Sequence, residues 1–148
     1  MKRKAIIVDL DRTLCNTFHR DYLWEQKEKD YDQIHHQILF DGVNEWCMNL
    51  IKIYAKAGYK IIFLTARGEE ARNPTTQWLF NNVGNQVDYD LVMRLQNDNR
   101  DDALVKQDLY IKWLAPTYDV EFCIDDKQSV IDMWRNLGLT ALHCSDFI

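Results

Sequence analysis

Residues 4–14 read KAIIVDLDRTL. Four consecutive apolar residues, Ala5 to Val8, run into two aspartates, Asp9 and Asp11, and then a threonine, Thr13. A short, continuous apolar run with polar residues at its end is the signature of a strand buried on both faces, as the strands of a parallel sheet are. Two carboxylates at the tip of such a strand are costly, because each disfavours ionisation of the other. Either a cation sits between them or one of them is kept protonated for acid chemistry.

Four further runs share this character: KIIFLTA at 60–66, DLVM at 90–93, VEFCI at 120–124 and TALHC at 140–144. Helical spacing occupies the gaps. Val43, Trp46, Cys47, Leu50 and Tyr54 recur on one face, with Gly58 as a stop. Val105, Leu109 and Trp113 precede Pro116, and Val130, Ile131, Trp134 and Leu137 precede Gly138. Strands alternating with helices predict an α/β fold with right-handed crossovers. The expected form is an open Rossmann-like three-layer sandwich on a mainly parallel five-stranded sheet. Residues 15–41 break the pattern. They are polar, aromatic and only weakly helical, and they read as a small flap or cap inserted after the first strand of a single domain, 1–148.

A formal charge of −5 argues against a protein that coats nucleic acid or an anionic membrane, but not against an enzyme that touches only the end of a strand. MKRK followed by four apolar residues is too short for a signal peptide, and no run approaches a membrane span. Cys15, Cys47, Cys123 and Cys144 lack zinc or redox spacing, which fits a reducing cytoplasm. There is no G-x-x-x-x-G-K-[ST] phosphate loop.

Ligands of open α/β sheets bind outside the carboxyl ends of the strands. The residues that follow each apolar run are therefore the informative ones. After the first come Asp9, Asp11 and Thr13; after the second, Thr65 and Arg67. The third is followed by RLQNDNRDDALVK, ending in Lys106, and the fourth by Asp125 and Asp126. Taken singly, each is ordinary: a capping aspartate, a strand-end hydroxyl, a surface ion pair, a helix start. Together, after consecutive strands of one sheet, they predict a site.

Hard carboxylate oxygens without a His or Cys cluster point to Mg²⁺, held by Asp9 with Asp125 or Asp126. Thr65 and Lys106 then suit a phosphate. Asp102 is expected to cap a helix beginning near Ala103 and, four residues before Lys106, to steer its ammonium. Asp9 is the natural nucleophile, giving an aspartyl-phosphate, and Asp11 the group that protonates the leaving alkoxide and then activates water.

With these residues in place, the chain resembles the haloacid-dehalogenase superfamily of phosphohydrolases. The matching motifs are DLDRT at 9–13, the threonine of FLTAR at 63–67, Lys106, and CIDDK at 123–127. NRDDALVK at 99–106, LAPTYDV at 114–120, IDDKQSVIDMWRNLG at 124–138 and SDF at 145–147 are similar, in order and spacing, to the 3'-phosphatase domains of phage polynucleotide kinase–phosphatases. The resemblance implies Asp9 as nucleophile, Asp11 as general acid–base, and Thr65 and Lys106 at the phosphate. It implies Mg²⁺ on Asp9, the backbone carbonyl of Asp11, Asp125 and Asp126. Arg20 and Arg67 match the family's two arginines near the phosphate, and Asp102 its aspartate before the lysine. Arg12 departs from the family's glycine in D-x-D-G-T, where it either contacts substrate or narrows the approach.

The expected activity is magnesium-dependent removal of the 3'-phosphate from DNA or RNA ends. The alternative is a nucleotidase acting on mononucleotides, and Phe18, Tyr22 and Trp24 of the flap can stack on a base in either case. A receiver-type signalling domain is the remote alternative, since it orders its acidic pair, acceptor and lysine differently. No kinase half is expected in these residues, nor any membrane partner. The expected location is cytoplasmic, the host cytoplasm if the chain is phage-encoded. His35, His36 and the five tryptophans are assigned to flap and core.

Overall fold

All five apolar runs become strands of one sheet in the computed structural model, which describes residues 1–144. The strands are β1 (Arg3–Val8), β2 (Cys15–Asn16), β3 (Gly42–Val43), β4 (Lys60–Gly68), β5 (Tyr89–Arg94), β6 (Tyr118–Asp125) and β7 (Ala141–His143). The helices are α1 (Tyr22–Glu25), α2 (Tyr31–Gln37), α3 (Glu45–Lys56), α4 (Arg72–Asn82), α5 (Asp102–Leu109) and α6 (Gln128–Asn136). The main sheet runs β5-β4-β1-β6-β7, and every pairing in it is parallel. The SDF string at 145–147 lies outside the described residues.

Side chains of a strand alternate between its faces, and that alternation aims the site. Ile6, Val8 and Leu10 pack on one face with Ile61, Phe63, Ile51 of α3 and Trp78 of α4. Ala5 and Ile7 pack on the other with Ile62, Cys123, Val105 of α5 and Trp134 of α6. Continued by one step, the second phase places Asp9 after Ile7 and Asp125 after Cys123, both toward the layer that carries α5. From β1 the chain winds outward through β4 to β5, then crosses back to β6 and β7. The crevice opens where that winding reverses, between β1 and β6, at the carboxyl ends of both.

Several helical faces differ from the sequence expectation. Val43 belongs to β3, and α3 buries Cys47, Met48 and Ile51 while Trp46 is 45% exposed. The apolar set at i, i+3, i+4 admits two neighbouring stripes, and packing chose the one that includes Met48. A π-type turn at Tyr110–Leu114 follows α5; its extra residue per turn rotates Trp113 outward to 64% exposure. Leu137 lies beyond the end of α6 and is half-exposed. Helix α4 had no legible apolar stripe: only Thr75, Trp78 and Leu79 are buried, and Pro74 sits in its first turn, where a missing N–H costs nothing.

The flap is closed at its base by an antiparallel pairing of β2 with β3. Between them lie α1, α2 and two 3₁₀ turns, anchored by buried Leu23, Ile34 and Ile38. The turn that leads from β1 into the flap explains the family's glycine: Arg12 has φ 63°, in the left-handed region that costs a side-chain-bearing residue about 1 kcal/mol or more. Its guanidinium reaches Asp21 at 3.0 Å. All four cysteines are free thiols, three of them buried. Among the described residues no helix is long and apolar enough to cross a membrane.

Candidate active site

Asp9 and Asp11 stand two residues apart yet are held by different partners. The Asp9 carboxylate accepts from Lys106 Nζ through Oδ1 at 2.9 Å and from Thr13 Oγ1 through Oδ2 at 3.0 Å. Lys106 Nζ also donates to Asp125 Oδ2 at 2.6 Å, and the other Asp125 oxygen accepts from the Lys127 backbone N–H at 3.0 Å. Asp126 completes the group: Asp9, Asp125 and Asp126 each offer an oxygen, and these oxygens all lie within 4.8 Å of one another. Three carboxylates around one ammonium leave an excess of negative charge in a largely buried place. Burial first, then the Asp125 charge, pushes Asp9 well above the usual carboxylate range, against the pull of Lys106. The same two causes push Asp126 up to about 6. Burial opposes the Lys106 charge, but Asp125 and Asp9 outweigh it and raise the ammonium's pKa. An all-oxygen donor set short of positive charge fits a hard divalent cation.

The second carboxylate has the opposite environment. Burial works to raise Asp11, but the charge and hydrogen bonds of Arg67, followed by those of Arg20, hold it down at about 2. Arg67 Nη2 lies 2.5 Å and Arg20 Nη2 2.9 Å from Asp11 Oδ1. The opening puzzle of two like charges at a strand tip is thus answered twice over, by a lysine for one and by two arginines for the other. Arg67 is aimed by an irregularity in β4, where the register with β5 shifts between Thr65 and Gly68. Thr65 is buried, and its Oγ1 accepts from the Arg67 backbone N–H at 3.1 Å, which leaves its own proton for the cavity it lines beside Asp9 and Lys106. That cavity encloses about 480 Å³.

One residue of this network had no signal in the sequence. Asp41, at the flap's return, is fully buried and accepts from Arg20 Nε at 2.7 Å and from Arg67 Nη2 at 3.1 Å. His19 Nε2 lies 2.9 Å from the same carboxylate. Asp41 fixes the two guanidiniums in place before any substrate arrives. Replacing it by Asn leaves two buried cations sharing Asp11 alone, and the expected cost is about 3 kcal/mol, read as a lower midpoint in thermal unfolding.

Asp102 requires a correction. It is the first residue of α5 rather than its cap, and it does not touch Lys106. Its carboxylate accepts from Arg94 at 2.6 Å and from Lys127 at 3.0 Å, on the rim of the same cavity. A buried ammonium gains more from two buried carboxylates than from a helix neighbour worth a few tenths of a kcal/mol. The remaining expected residues, Asp9, Asp11, Thr65, Arg67, Arg20, Lys106, Asp125 and Asp126, come together at the carboxyl end of the sheet.

Known proteins resemble this chain along its length. The family described as "Polynucleotide kinase PNKP phosphatase domain" matches residues 3–147. A chain of the Pnkp1/Rnl/Hen1 RNA repair complex superposes with a TM-score of 0.80 at 35% identity, over 99% of this chain and 44% of that one. A protein of Autographa californica nuclear polyhedrosis virus, whose name proposes a bifunctional polynucleotide kinase/RNA ligase, is 25% identical over 148 residues, 98% of this chain and 20% of its own. A class C acid phosphatase from Bacillus anthracis shares the fold with a TM-score of 0.65 at 15% identity, over 99% of this chain and 68% of that one. The chain spans less than half the length of the repair-complex protein and about a fifth of the viral one. A match that runs from residue 3 to residue 147 leaves no strand of the sheet and no residue of the cradle outside it, so the chain belongs to the haloacid-dehalogenase-type family of polynucleotide kinase PNKP phosphatase domains.

Proposed function

We propose that the protein is a magnesium-dependent phosphatase that removes the 3'-phosphate from DNA or RNA ends through an aspartyl-phosphate on Asp9. The observation that carries this reading is the division of labour between two carboxylates of one turn: Asp9 sits with a lysine and two further acids, Asp11 with two arginines. Thr13 and Lys106 fix the plane of the Asp9 carboxylate, so that one of its oxygens can attack phosphorus while the ester P–O bond breaks. Asp11, ionised at rest, takes up a proton from solvent as the phosphate ester draws the arginines away, and gives it to the leaving alkoxide. It then takes a proton from water, whose oxygen attacks phosphorus, breaks the bond to Asp9 and frees phosphate.

Arg20 and Arg67 are both clamp and switch in this scheme. At rest they keep Asp11 ionised. As they turn toward phosphoryl oxygens, their hold on Asp11 weakens and its proton affinity rises, so the acid is armed by the substrate it serves. Thr65 and Lys106 add donors from the opposite side. Asp9, Asp125, Asp126 and the carbonyl of Asp11 would hold Mg²⁺, which supplies positive charge to phosphoryl oxygens when bound.

What supports a nucleic-acid end as substrate is the company of the relatives: one sits in an RNA repair complex, and another is named for kinase and RNA ligase activities. The test is phosphate release from 3'- and 5'-phosphorylated oligonucleotides and from mononucleotides, with and without Mg²⁺. Release from 3'-phosphorylated ends, with Mg²⁺ required, is expected. Preference for 5'-phosphates would overturn the 3'-end assignment, and turnover of mononucleotides alone would make the enzyme a nucleotidase. Asp11→Asn should slow release from sugar esters by roughly 10²- to 10⁴-fold, and release from p-nitrophenyl phosphate far less, because that leaving group departs without a proton. Equal losses on the two would remove Asp11 from the acid role.

A further inference from the structure

Beside the phosphate cavity lies a second and larger space of about 760 Å³. The two adjoin through Asp11, Ala66 and Asp102, which line both. One wall comes from the flap and is aromatic. Trp24 and Tyr31 meet edge to face with ring centroids 6.0 Å apart, and His35 lies 6.5 Å from Tyr31. Both large rings are about half exposed. The facing wall is the segment after β5, which presents the side-chain amides of Gln96, Asn97 and Asn99. Among the described residues these three amides meet no hydrogen-bond partner.

The charges of the cleft say what kind of group it takes. Each of its arginines is already matched: Arg94 by Asp102 at 2.6 Å, Arg100 by Asp98 at 2.9 Å and Asp108 at 2.5 Å, Arg20 and Arg67 by Asp11 and Asp41. With Arg20 and Arg67 assigned to the transferred phosphate, an interior phosphodiester would find among the described residues of the cleft only Arg94 and Arg100, both already paired. A planar group with hydrogen-bonding edges, by contrast, would find ring faces on one side and amides on the other.

We propose that this cleft seats the base of the nucleotide whose phosphate is removed, lying against Trp24 and Tyr31, whose rings stand at 73° so that the base stacks on one and meets the other edge-on, with its own edge toward Gln96, Asn97 and Asn99. The proposal rests on the phosphatase reading and sharpens it: the enzyme selects phosphate esters that carry a base, by contacts to the terminal nucleoside rather than to the strand behind it. Of the three flap aromatics expected to stack on a base, Trp24 lines the cleft, together with Tyr31, while Phe18 and Tyr22 do not.

The readout is a ratio of two kcat/KM values, that of a nucleoside 3'-monophosphate over that of its abasic ribose counterpart. A ratio of about ten or more is expected, falling toward one in Trp24→Ala and Tyr31→Ala. Gln96→Ala, on the opposite and exposed wall, should narrow differences between bases, which guards against a flap variant that merely misfolds. The ratio should hold between about 50 and 200 mM salt, since the contacts are uncharged. A wild-type ratio near one, or a ratio that both aromatic variants leave intact, overturns the proposal. If neither ester releases phosphate but a 3'-phosphorylated oligonucleotide does, the proposal is overturned; if none of the three does, it is the phosphatase reading that fails. The cleft is then judged by calorimetric binding of the nucleoside 3'-monophosphate to the Asp9→Asn protein, where Trp24→Ala should weaken binding about tenfold and equal binding overturns the proposal.

Discussion

Asp9→Asn should lose phosphate release by on the order of 10⁴-fold or more and, at the same time, unfold at a higher temperature than the wild type in the absence of divalent ions. The two effects share one cause. The carboxylate proposed as nucleophile is kept in a place where it is electrostatically unwelcome, beside Asp125 and Asp126 and with a single ammonium among the three. Asn keeps the shape of the side chain and an oxygen for Lys106, but removes one of three crowded negative charges. Relief of about 1 kcal/mol corresponds to ~2–4 °C in a chain of this size. Mg²⁺ should reverse the order, because it stabilises whichever protein binds it by RT ln(1 + [Mg²⁺]/Kd), and the variant, lacking one ligand, binds it more weakly. Thermal unfolding with chelator and with Mg²⁺, run beside a phosphate-release assay, separates these outcomes. Retained turnover would point to another nucleophile. A variant less stable than the wild type in chelator would mean that Asp9 is a net structural partner of Lys106 rather than a strained functional group.

The same contrast decides what the sequence could reveal. Strand runs such as KIIFLTA are legible because burial on both faces leaves a local mark, and all five occur where that mark places them. Asp9 and Asp125 are legible because they stand at strand ends, and Lys106 because it lies in the segment that follows β5; the winding of the sheet brings these ends to one edge. Asp41 is not. Before a glycine, after a flap of mixed polarity, it reads as a turn residue; only the fold brings Arg20 and Arg67 against it, from 21 and 26 positions away. The sequence also misled at Asp102, where a spacing of four residues on a helix suggested a partner that deeper charges had already taken. Helix α4 escaped for a plainer reason: it buries two large apolar residues, Trp78 and Leu79, next to each other, too few to set a period. Arg12 shows the converse. The departure from glycine was visible at once, but its cost was not until φ placed it in the left-handed region.

Lys106→Met should be the most destabilising single change in the cradle. The lysine is almost wholly buried, with its ammonium 2.9 Å from Asp9 and 2.6 Å from Asp125. Met fills similar space, so the loss is one of charge rather than of packing. Removing one partner of a buried pair typically costs about 3–5 kcal/mol, a large part of the roughly 5–15 kcal/mol that holds a domain folded. A drop of the order of 10 °C in the unfolding midpoint is expected, together with loss of turnover. The deficit should be greatest at neutral pH. A carboxyl whose folded pKa lies above its unfolded value binds its proton more readily when folded, so its penalty fades on acidification. Asp126 already titrates near 6 in the intact cradle, and the gap between variant and wild type should therefore narrow as pH falls through that region. Adding Asp9→Asn to Lys106→Met should recover more stability than Asp9→Asn adds to the wild type, since it removes one of the stranded charges, whereas a packing defect would leave the two effects additive. Additive effects, or a Lys106→Met protein as stable as the wild type in chelator, would show that the ammonium is not what holds these carboxylates together.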